Sequence, residues 1–300
     1  MTREERSHKI QDDIDNVLNR ENRKKIVLLV LKILFIVIIL FLAFYFYTRY
    51  ISTGAIIVKE KRIISNKITD NFNGTKVIQF SDLLYGTTTN IDTLKKVVKL
   101  INDRKPDIVL FTGNLFDSDH PIDKENQEKI INYLSSINST YGKYAVFGNQ
   151  DNESFRTIMN QSNFKVLSNT SDLIYNDSSN PLKIIGLDSY LKDRQNIRTA
   201  FSSNKNINCY SIVIMNETET IPEVCNNNPD LVLAGNSLNG TVKLPIIGGI
   251  VKKDGSNRYL NSHYKINNSD VYVSSGLGTN GIGFRLNNHP SINFFRLSNK

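Results

Sequence analysis

The stretch that decides the fold is KVIQFSDLLYGTTTNIDTLKKVVKLINDRKPDIVLFTGN, residues 76–114. Two apolar, β-branched runs, Lys76–Ser81 and Asp107–Gly113, predict strands, and apolar residues recur at helical spacing between Asn90 and Arg104. A strand, a helix and a strand in this order predict parallel pairing through a right-handed crossover. Open α/β sheets place their chemistry in the loops that leave the carboxyl ends of such strands.

Strand and helix signals continue on both sides of this unit. Ile56–Ile64 and Tyr144–Gly148 are predicted strands, and helices are predicted over Asp123–Ile137 and about 152–161. Further strands are expected at 164–168, 182–188, 210–216, 231–235, 241–245, 264–267, 271–275 and 292–297. We therefore expect an α/β fold in which two mixed sheets pack together and helices cover their outer faces, a four-layer α/β/β/α sandwich.

One segment near the N-terminus predicts a membrane anchor. Ile26–Tyr47 is almost wholly apolar, and as a helix it would span about 33 Å, against about 30 Å for the hydrocarbon core of a bilayer. Lys32 can extend its amine back to the headgroups, and an aromatic belt marks the other interface. That belt consists of Phe44, Tyr45, Phe46, Tyr47 and Tyr50. The run is too long for a signal peptide, and 45–50 is a poor cleavage site.

The domain boundaries follow from this segment. We expect a cytoplasmic tail at 1–25, a transmembrane helix at 26–47, a linker at 48–55 and one folded domain at 56–300. The positive-inside rule favours a cytoplasmic N-terminus and an extracytoplasmic domain, since a basic cluster precedes the helix. The cluster consists of Arg20, Arg23, Lys24 and Lys25. The tail is either a short helix with Ile10, Ile14, Val17 and Leu18 on one face or a loosely ordered segment.

Charge and cysteine content exclude two functional classes. The formal net charge is +8, but residues 1–62 hold twelve Lys/Arg and seven Asp/Glu and so contribute +5, leaving +3 for the rest. The basic excess flanks the anchor, and we expect no nucleic-acid partner. Cys209 and Cys225 are either two ordinary thiols or, outside the cytosol, a disulfide pair, and they cannot form a metal site without nearby histidines.

Four polar segments each end an apolar run. They are SDLLYG at 81–86, TGNLFD at 112–117, FGNQD at 147–151 and AGNSLNG at 234–240. In order and spacing, together with Asn216-Glu217-Thr218 and the segments 241–245 and 275–281, they resemble the motifs of the calcineurin-like metallophosphoesterase superfamily. The resemblance runs from about Ile56 to the C-terminus. It is strongest to the membrane-anchored bacterial branch, whose relatives act on phosphate esters, including lipid-linked ones.

The resemblance implies two neighbouring divalent metal ions, bridged by an aspartate, that clamp a phosphate and activate a water. Asp82 and Asn149 keep a carboxylate and an amide at two ligand positions, and Asn114 stands where the bridging aspartate belongs. Histidine ligands are replaced at Leu84, Asn216, Asn236 and Leu238. Gln150 replaces the histidine that assists at the phosphate, and Asp151 remains without the imidazole it would orient.

The expected cost of the lost ligands favours loss of the metal-dependent chemistry. Removing even an outer partner of a metal ligand costs about 10–100-fold in affinity or activity. Five of the seven ligand positions are changed here, two of them to leucine, which cannot bind a metal. We expect no cofactor, no catalytic residue and no metal ligand in use. Asp82, Leu84, Asn114, Asn149, Asn216, Asn236 and Leu238 are then vestigial ligand positions, and Gln150 and Asp151 are vestigial catalytic positions.

Few other residues could rebuild the site. The histidines are His8, His120, His263 and His289. His120 follows the strand that ends at Asn114 and could approach the site, although a solvent-exposed loop position is the simpler interpretation. Asp117, Asp119 and Glu217 could add charge, but they do not restore a paired ligand spacing.

Three functional classes remain open from the sequence. The first is a pseudoenzyme held at the membrane that binds an unknown protein, lipid or sugar, or acts as a scaffold. The alternative is an active metal-dependent phosphoesterase with a rebuilt or mononuclear site, in which Asp82, Asn149 and Asp151 hold one Mg²⁺ or Ca²⁺. The third is a ligand-binding module whose asparagines suit sugars, polyols or headgroup hydroxyls. Drift of histidine and aspartate codons to asparagine would explain the same residues without a ligand.

Overall fold

A computed structural model describes residues 3–86, 88–118, 122–177, 179–279, 281 and 283–300. The chain forms two compact units, an N-terminal unit that ends at Thr48 and a larger unit from Arg49 to Lys300. The larger unit therefore begins at Arg49, within the segment 48–55 that the sequence predicted as a linker.

The helices are α1 (Arg3–Phe46), α2 (Ser52–Gly54), α3 (Ile91–Asn102), α4 (Lys124–Ser135), α5 (Ser154–Gln161), α6 (Ile197–Ser202) and α7 (Ile221–Cys225). The strands are β1 (Ile57–Ile64), β2 (Lys76–Phe80), β3 (Ile108–Phe111), β4 (Gly142–Ala145), β5 (Lys165–Val166), β6 (Thr170–Ile174), β7 (Leu182–Gly186), β8 (Ser211–Ile214), β9 (Leu231–Ala234), β10 (Lys243–Leu244), β11 (Gly248–Gly249), β12 (His263–Ile266), β13 (Ser269–Val273) and β14 (Ser291–Ser298).

The N-terminal unit is the single long helix α1. It begins at Arg3 and runs without a break through the described part of the predicted tail 1–25, so the helical alternative for that tail is the one the structure shows. The helix is long and apolar enough to cross a membrane, and its apolar stretch is not buried against protein. By length and composition it fits either a membrane span or a signal sequence.

Two six-stranded mixed sheets form the larger unit. The first sheet has the order β1-β14-β2-β3-β4-β5, with β2 to β5 parallel and β14 antiparallel to β2. The second sheet has the order β12-β13-β9-β8-β7-β6, parallel from β13 to β7 and antiparallel at both edges. The predicted β-α-β pairing of the first half is therefore confirmed.

Apolar side chains fill three layers between these elements. One cluster packs α3, α4 and α5 on the outer face of the first sheet, a second lies between the two sheets, and a third packs α6 and α7 on the second sheet. This is the predicted α/β/β/α sandwich. Helix α3 begins where the sequence predicted, because the Asn90 side chain accepts a 3.0 Å hydrogen bond from the Thr93 N–H.

The structure also departs from the sequence prediction in several places. Strand β4 lies at Gly142–Ala145, not at Tyr144–Gly148, so the last residues of that run leave the sheet as a loop. The last strand, β14, inserts between β1 and β2 in the first sheet. The short elements β6, α6 and α7 were not predicted. Cys209 and Cys225 are both free thiols.

Candidate functional site

The polar segments predicted from the sequence meet at one end of the sandwich. Loops from the carboxyl ends of β2, β3 and β4 face loops from the ends of β8 and β9. Glycines allow this close approach, because a Cβ on Gly113 would lie 2.6 Å from the Gly148 N and one on Gly235 would lie 2.1 Å from the Ser81 Oγ. The site is therefore a place where two sheets bring backbone and side chains into direct contact.

Asp82 is fully buried in this site and accepts hydrogen bonds on both carboxylate oxygens. Its Oδ1 accepts from the Asn114 Nδ2 at 2.9 Å. Its Oδ2 accepts from the Ser81 Oγ at 2.5 Å and from the Asn236 N–H at 3.0 Å. The carboxylate thus joins loops of both sheets through neutral donors.

The amide of Asn114 lies at the centre of the site. Its Nδ2 faces three oxygens, the Asp82 Oδ1 at 2.9 Å, the Asn149 Oδ1 at 3.2 Å and the Asn216 Oδ1 at 3.0 Å. Its Oδ1 accepts from the Gln150 N–H at 2.9 Å. Oxygens from three predicted ligand positions therefore converge on a neutral N–H₂ group, as they would converge on a cation.

Asp151 holds the backbone of this half of the site. Its Oδ2 accepts from the N–H groups of Asn114 and Gly148, each at 2.8 Å, and its Oδ1 accepts from the Leu115 N–H at 2.8 Å. Burial raises the pKa of Asp151 to about 7, although these three hydrogen bonds favour the charged form and lower it. Asp151 therefore orients loop backbone here and not an imidazole.

Two leucines occupy predicted ligand positions, and glycines of the closing segment 275–281 pack against them. A Cβ on Gly276 would lie 2.2 Å from the Leu238 Cδ2, and a Cβ on Gly278 would lie 2.8 Å from the Leu84 Cβ. Both leucines are buried. Apolar side chains therefore fill volume beside Asp82 that histidine ligands would occupy in the related enzymes.

The backbone of the site keeps an uncommon conformation. Five of the predicted ligand positions have φ between 48° and 57°, in the left-handed region: Asp82, Leu84, Asn114, Asn236 and Leu238. Leucine rarely adopts this region, and such conformations persist only where the surrounding structure imposes them. The backbone at these positions is thus left-handed whether or not the side chain carries a ligand atom.

Asn236 connects the site to the loop at 251–256. Its Nδ2 donates to the Asp254 carbonyl at 2.9 Å and to the Ser256 Oγ at 3.0 Å, while its Oδ1 is buried without a hydrogen-bond partner among the described residues. The Ser256 Oγ in turn accepts from the Thr218 N–H at 3.0 Å. This loop is therefore fixed across the second-sheet side of the site.

Lys253 lies in this loop and was not identified from the sequence. The residue is half-buried, but its Nζ is shielded from solvent and has no hydrogen-bond partner within the described residues. Burial lowers the pKa of Lys253, and the carboxylates of Asp82, Asp117 and Glu217 act in the opposite direction. The Lys253 side chain therefore lies within electrostatic range of the acidic groups of the site. A single lysine in an aperiodic loop gives no sequence signal for such a position.

A cavity of about 270 Å³ opens beside Gln150 and Asp117. Its lining offers hydroxyl, amide and carboxylate groups but no cationic side chain among the described residues. The lining consists of Phe116, Asp117, Ser118, Ile122, Gln127, Gln150, Asn152 and Ser154. The Gln150 Oε1 accepts from the Ser118 N–H at 3.1 Å, which fixes one wall.

The other predicted candidates lie away from the site or are already engaged. The Nε2 of His263 on β12 lies 3.1 Å from the Oδ1 of Asp270 on β13. The His289 Nδ1 lies 3.5 Å from the Ser52 carbonyl. His8 is exposed on α1. Glu217 is buried near the site, but it accepts from the Ser189 Oγ at 2.5 Å and from the Tyr190 N–H. His120 and Asp119 lie outside the described residues.

Over the residues that the structure describes, no group of three or more His, Cys, Asp or Glu side chains is arranged to hold a metal ion. What the site provides instead is one buried carboxylate, four asparagine amides and two leucines at the seven ligand positions. Most of the polar side-chain atoms at these positions are already hydrogen-bonded.

Comparisons with known proteins agree with the fold. The calcineurin-like phosphoesterase profile matches residues 75–274. The chain is 27% identical over 258 residues to the uncharacterised metallophosphoesterase YkuE of Bacillus subtilis, covering 84% of this chain and 89% of that protein. It is 26% identical over 215 residues to YkoQ, an uncharacterised metallophosphoesterase of the same organism, covering 68% and 77%. The solved calcineurin-like phosphoesterase YfkN from Bacillus subtilis superposes with a TM-score of 0.42 at 10% identity, covering 68% of this chain and 81% of that one.

Proposed function

Because the chain belongs to the calcineurin-like phosphoesterase family, we propose that it is a membrane-anchored homologue without a dinuclear metal site, a pseudoenzyme with a binding or scaffolding role at the membrane surface. The observation that carries this proposal is the position of the Asn114 amide. Its Nδ2 faces the oxygens of Asp82, Asn149 and Asn216 at 2.9–3.2 Å. The two hydrogens of this N–H₂ group can bond two of the three oxygens at a time, so the group offers hydrogen bonds where a metal ion would offer coordination.

The residues at the ligand positions do not fit two divalent cations. Two dications about 4 Å apart repel each other by about 16 kcal/mol at an effective dielectric constant of about 20, four times the value for unit charges. Related enzymes offset this repulsion with an anionic bridge and several further ligands. Here the bridge position is the neutral Asn114, and Asp82 is the one carboxylate among the seven positions.

Lys253 adds a second reason. Its side chain lies within electrostatic range of the carboxylates of Asp82, Asp117 and Glu217, and these carboxylates favour its charged form. A dication bound to the same carboxylates would repel that charge. Positive charge from the chain therefore competes with metal for the same carboxylates.

The strained backbone of the site supports a binding role. Leu84 and Leu238 have left-handed backbone conformations, and Gly276 and Gly278 pack against them. Such conformations cost free energy and would relax if nothing held them. The cavity of about 270 Å³ beside Gln150 provides donors and acceptors but no described cation, which suits a neutral hydroxyl-rich ligand better than a free phosphate.

The membrane part of the proposal depends on the apolar segment Ile26–Tyr47 within helix α1. Its length matches a bilayer core, and the excess of basic residues before it favours a cytoplasmic N-terminus with the larger unit outside. The partner at the membrane surface is then a protein, a lipid or a sugar.

Hydrolysis assays with the full-length chain in detergent test the proposal. We expect no hydrolysis of p-nitrophenyl phosphate or bis-p-nitrophenyl phosphate above the rate of Mn²⁺ in buffer. Asp82→Ala is the matched control, because it removes the one carboxylate at the ligand positions. Turnover by the native chain that Asp82→Ala abolishes would contradict the proposal and would favour the mononuclear hydrolase.

A reconstructed site separates loss of ligands from loss of scaffold. This variant carries Leu84→His, Asn114→Asp, Gln150→His, Asn216→His, Asn236→His and Leu238→His, with and without Lys253→Ala. If the ligand set and the lysine both exclude metal, Mn²⁺ binding returns and is stronger in the form that also lacks Lys253. Equal binding with and without Lys253 would remove the lysine from the explanation, and circular dichroism checks that each variant is folded.

A further inference from the structure

A short hairpin presents an exposed apolar tip on the larger unit. Strands β10 and β11 pair at Lys243↔Gly249 and Leu244↔Gly248, and the turn between them contains Ile246 and Ile247. Ile246 is fully exposed, Ile247 is 71% exposed and Ile250 is 47% exposed. Three neighbouring isoleucines in solvent form an apolar patch of the kind that marks an interaction surface.

The backbone of the tip supports the same conclusion. Ile246 has φ of 70°, in a region that β-branched residues rarely adopt. Asparagine or glycine would fit this turn position with less strain, as Asn239 and Gly240 do a few residues earlier. An isoleucine kept there at a conformational cost indicates that its side chain is used on the outside of the molecule.

The base of the hairpin and the start of the larger unit both contact the segment 286–289. The Lys243 N–H donates to the Leu286 carbonyl at 2.9 Å, and the Leu286 N–H donates to the Thr241 carbonyl at 3.1 Å. Three residues later, the His289 Nδ1 lies 3.5 Å from the Ser52 carbonyl. The hairpin base and Ser52 of α2, near the start of the larger unit, are thus both bonded to the short segment 286–289.

Positive charge accompanies the apolar tip. Lys243 is half-buried at the hairpin base and Lys252 is exposed just after it. The Lys59 Nζ donates to the Ser275 Oγ at 2.6 Å, and burial together with the charges of Lys243 and Arg285 lowers the pKa of Lys59 to about 8. In the part of the chain that the structure describes, none of the three lysines is in an ion pair.

We propose that the β10–β11 hairpin is a second membrane contact, which inserts Ile246 and Ile247 among the lipid headgroups while Lys243 and Lys252 bind anionic headgroups. The occupant is the bilayer that the chain's own anchor is proposed to cross, so this inference rests on the proposed anchor. Apolar side chains flanked by lysines are the usual chemistry of interfacial membrane binding. Such a contact would hold the larger unit in one orientation on the membrane.

The absence of tryptophan from the chain gives a direct test. Ile247→Trp is introduced into the full-length chain, which is reconstituted in lipid nanodiscs of phosphatidylcholine and phosphatidylglycerol with brominated acyl chains. Phe41→Trp, within the apolar stretch of α1, is the control for the anchor. Tyr175→Trp, an exposed position just after β6, is the control for a surface that faces water.

We expect bromolipid to quench the Ile247→Trp emission at least about twofold more than the Tyr175→Trp emission, as for a side chain at the headgroup boundary. Quenching of Phe41→Trp alone would overturn the hairpin inference and leave the anchor intact. No quenching of Phe41→Trp would instead reject the anchor. A blue-shifted Ile247→Trp emission without quenching would mean that protein covers the tip, and this also overturns the inference.

The charge part has its own control. Lys252→Glu in the Ile247→Trp background should reduce quenching in discs that contain phosphatidylglycerol and leave neutral discs unchanged. Lys192→Glu makes the same charge change at another exposed position and should have no effect in either disc. Equal losses with Lys252→Glu and Lys192→Glu would overturn the role of the lysines.

Discussion

The two halves of the site differ in how completely their polar atoms are satisfied. On the first-sheet side, Asp151 accepts three backbone N–H groups, and Asn114 contacts four partners. On the second-sheet side, several buried polar atoms have no partner among the described residues. They are the Asn236 Oδ1, the Asn239 Oδ1, the Thr218 Oγ1 and the Lys253 Nζ.

This difference sets a half whose buried polar groups are hydrogen-bonded against a half in which several described buried polar atoms have no partner. Buried polar groups without partners cost about 1–3 kcal/mol each, so they are normally satisfied unless a ligand or water completes them. The first-sheet side has the contacts of a stabilising network. The second-sheet side has open donors and acceptors next to a buried cation, so the comparison predicts that substitutions on the two sides affect stability very differently.

The largest effect is expected from Asp151→Ala. The substitution leaves the N–H groups of Asn114, Leu115 and Gly148 buried without an acceptor, and we expect a loss of about 3–5 kcal/mol in the free energy of unfolding. Chemical denaturation of the full-length chain in detergent measures it. Asp254→Ala, an exposed carboxylate on the second-sheet side, is the control and should stay within about 0.5 kcal/mol. A similarly small loss of stability in Asp151→Ala and Asp254→Ala would contradict the difference between the two sides of the site.

A smaller but still large effect is expected from Asn114→Ala. The Asp82 carboxylate loses one donor and the oxygens of Asn149 and Asn216 lose another, which should cost about 2–3 kcal/mol. Asn236→Ala removes two donated hydrogen bonds but also one buried oxygen without a partner, and should cost about 1 kcal/mol. The ratio of the two losses in the free energy of unfolding tests the difference between the two sides of the site. Equal losses would contradict that difference.

Asp151 also predicts a pH dependence. Because burial raises its pKa from 3.8 to about 7, the folded state binds the proton more tightly than the unfolded state. The stability linked to this group is full below about pH 4 and is lost as pH rises through about 7, an effect of about 2 kcal/mol between pH 5 and 8.

Asp151→Asn checks this sign, because the variant should be less stable at pH 5 yet should lose less stability between pH 5 and 8. Glu217, whose pKa burial also raises, leaves a residual slope of the same sign in the variant. An unchanged slope in Asp151→Asn would show that another group is responsible for it.

Much of the site could be predicted from the sequence. The strand–loop pattern places Asp82, Asn114, Asn149 and Asn216 at neighbouring strand ends, and the structure brings their side chains together. The loop shapes were less accessible, since no sequence pattern shows that Leu84 is held in a left-handed conformation by its neighbours. Tertiary contacts determine the backbone conformation at such positions.

The position of Lys253 could not be predicted from the sequence either. Lys253 reaches the site because Asn236 and Ser256 fix its loop, contacts between residues about 20 positions apart that have no periodic signature. The short elements β6, α6 and α7 were missed because runs of five or six residues give too few repeats to define a period.

The smallest effect is expected from Lys253→Met. The ammonium makes no hydrogen bond among the described residues, and a side chain of similar volume without charge removes both its desolvation cost and its attraction to the carboxylates. We expect the free energy of unfolding to change by less than about 1 kcal/mol. A loss above about 3 kcal/mol would mean that Lys253 is a required ion-pair partner and that the second-sheet side is as tightly coupled as the first.

The metal content of the full-length chain tests the central claim most directly. The chain, purified in detergent, is dialysed to equilibrium against Mn²⁺ at neutral pH, and bound metal is measured by inductively coupled plasma mass spectrometry. We expect metal far below one ion per chain, unchanged by Asp82→Ala. Close to two ions per chain, lost in Asp82→Ala, would contradict it.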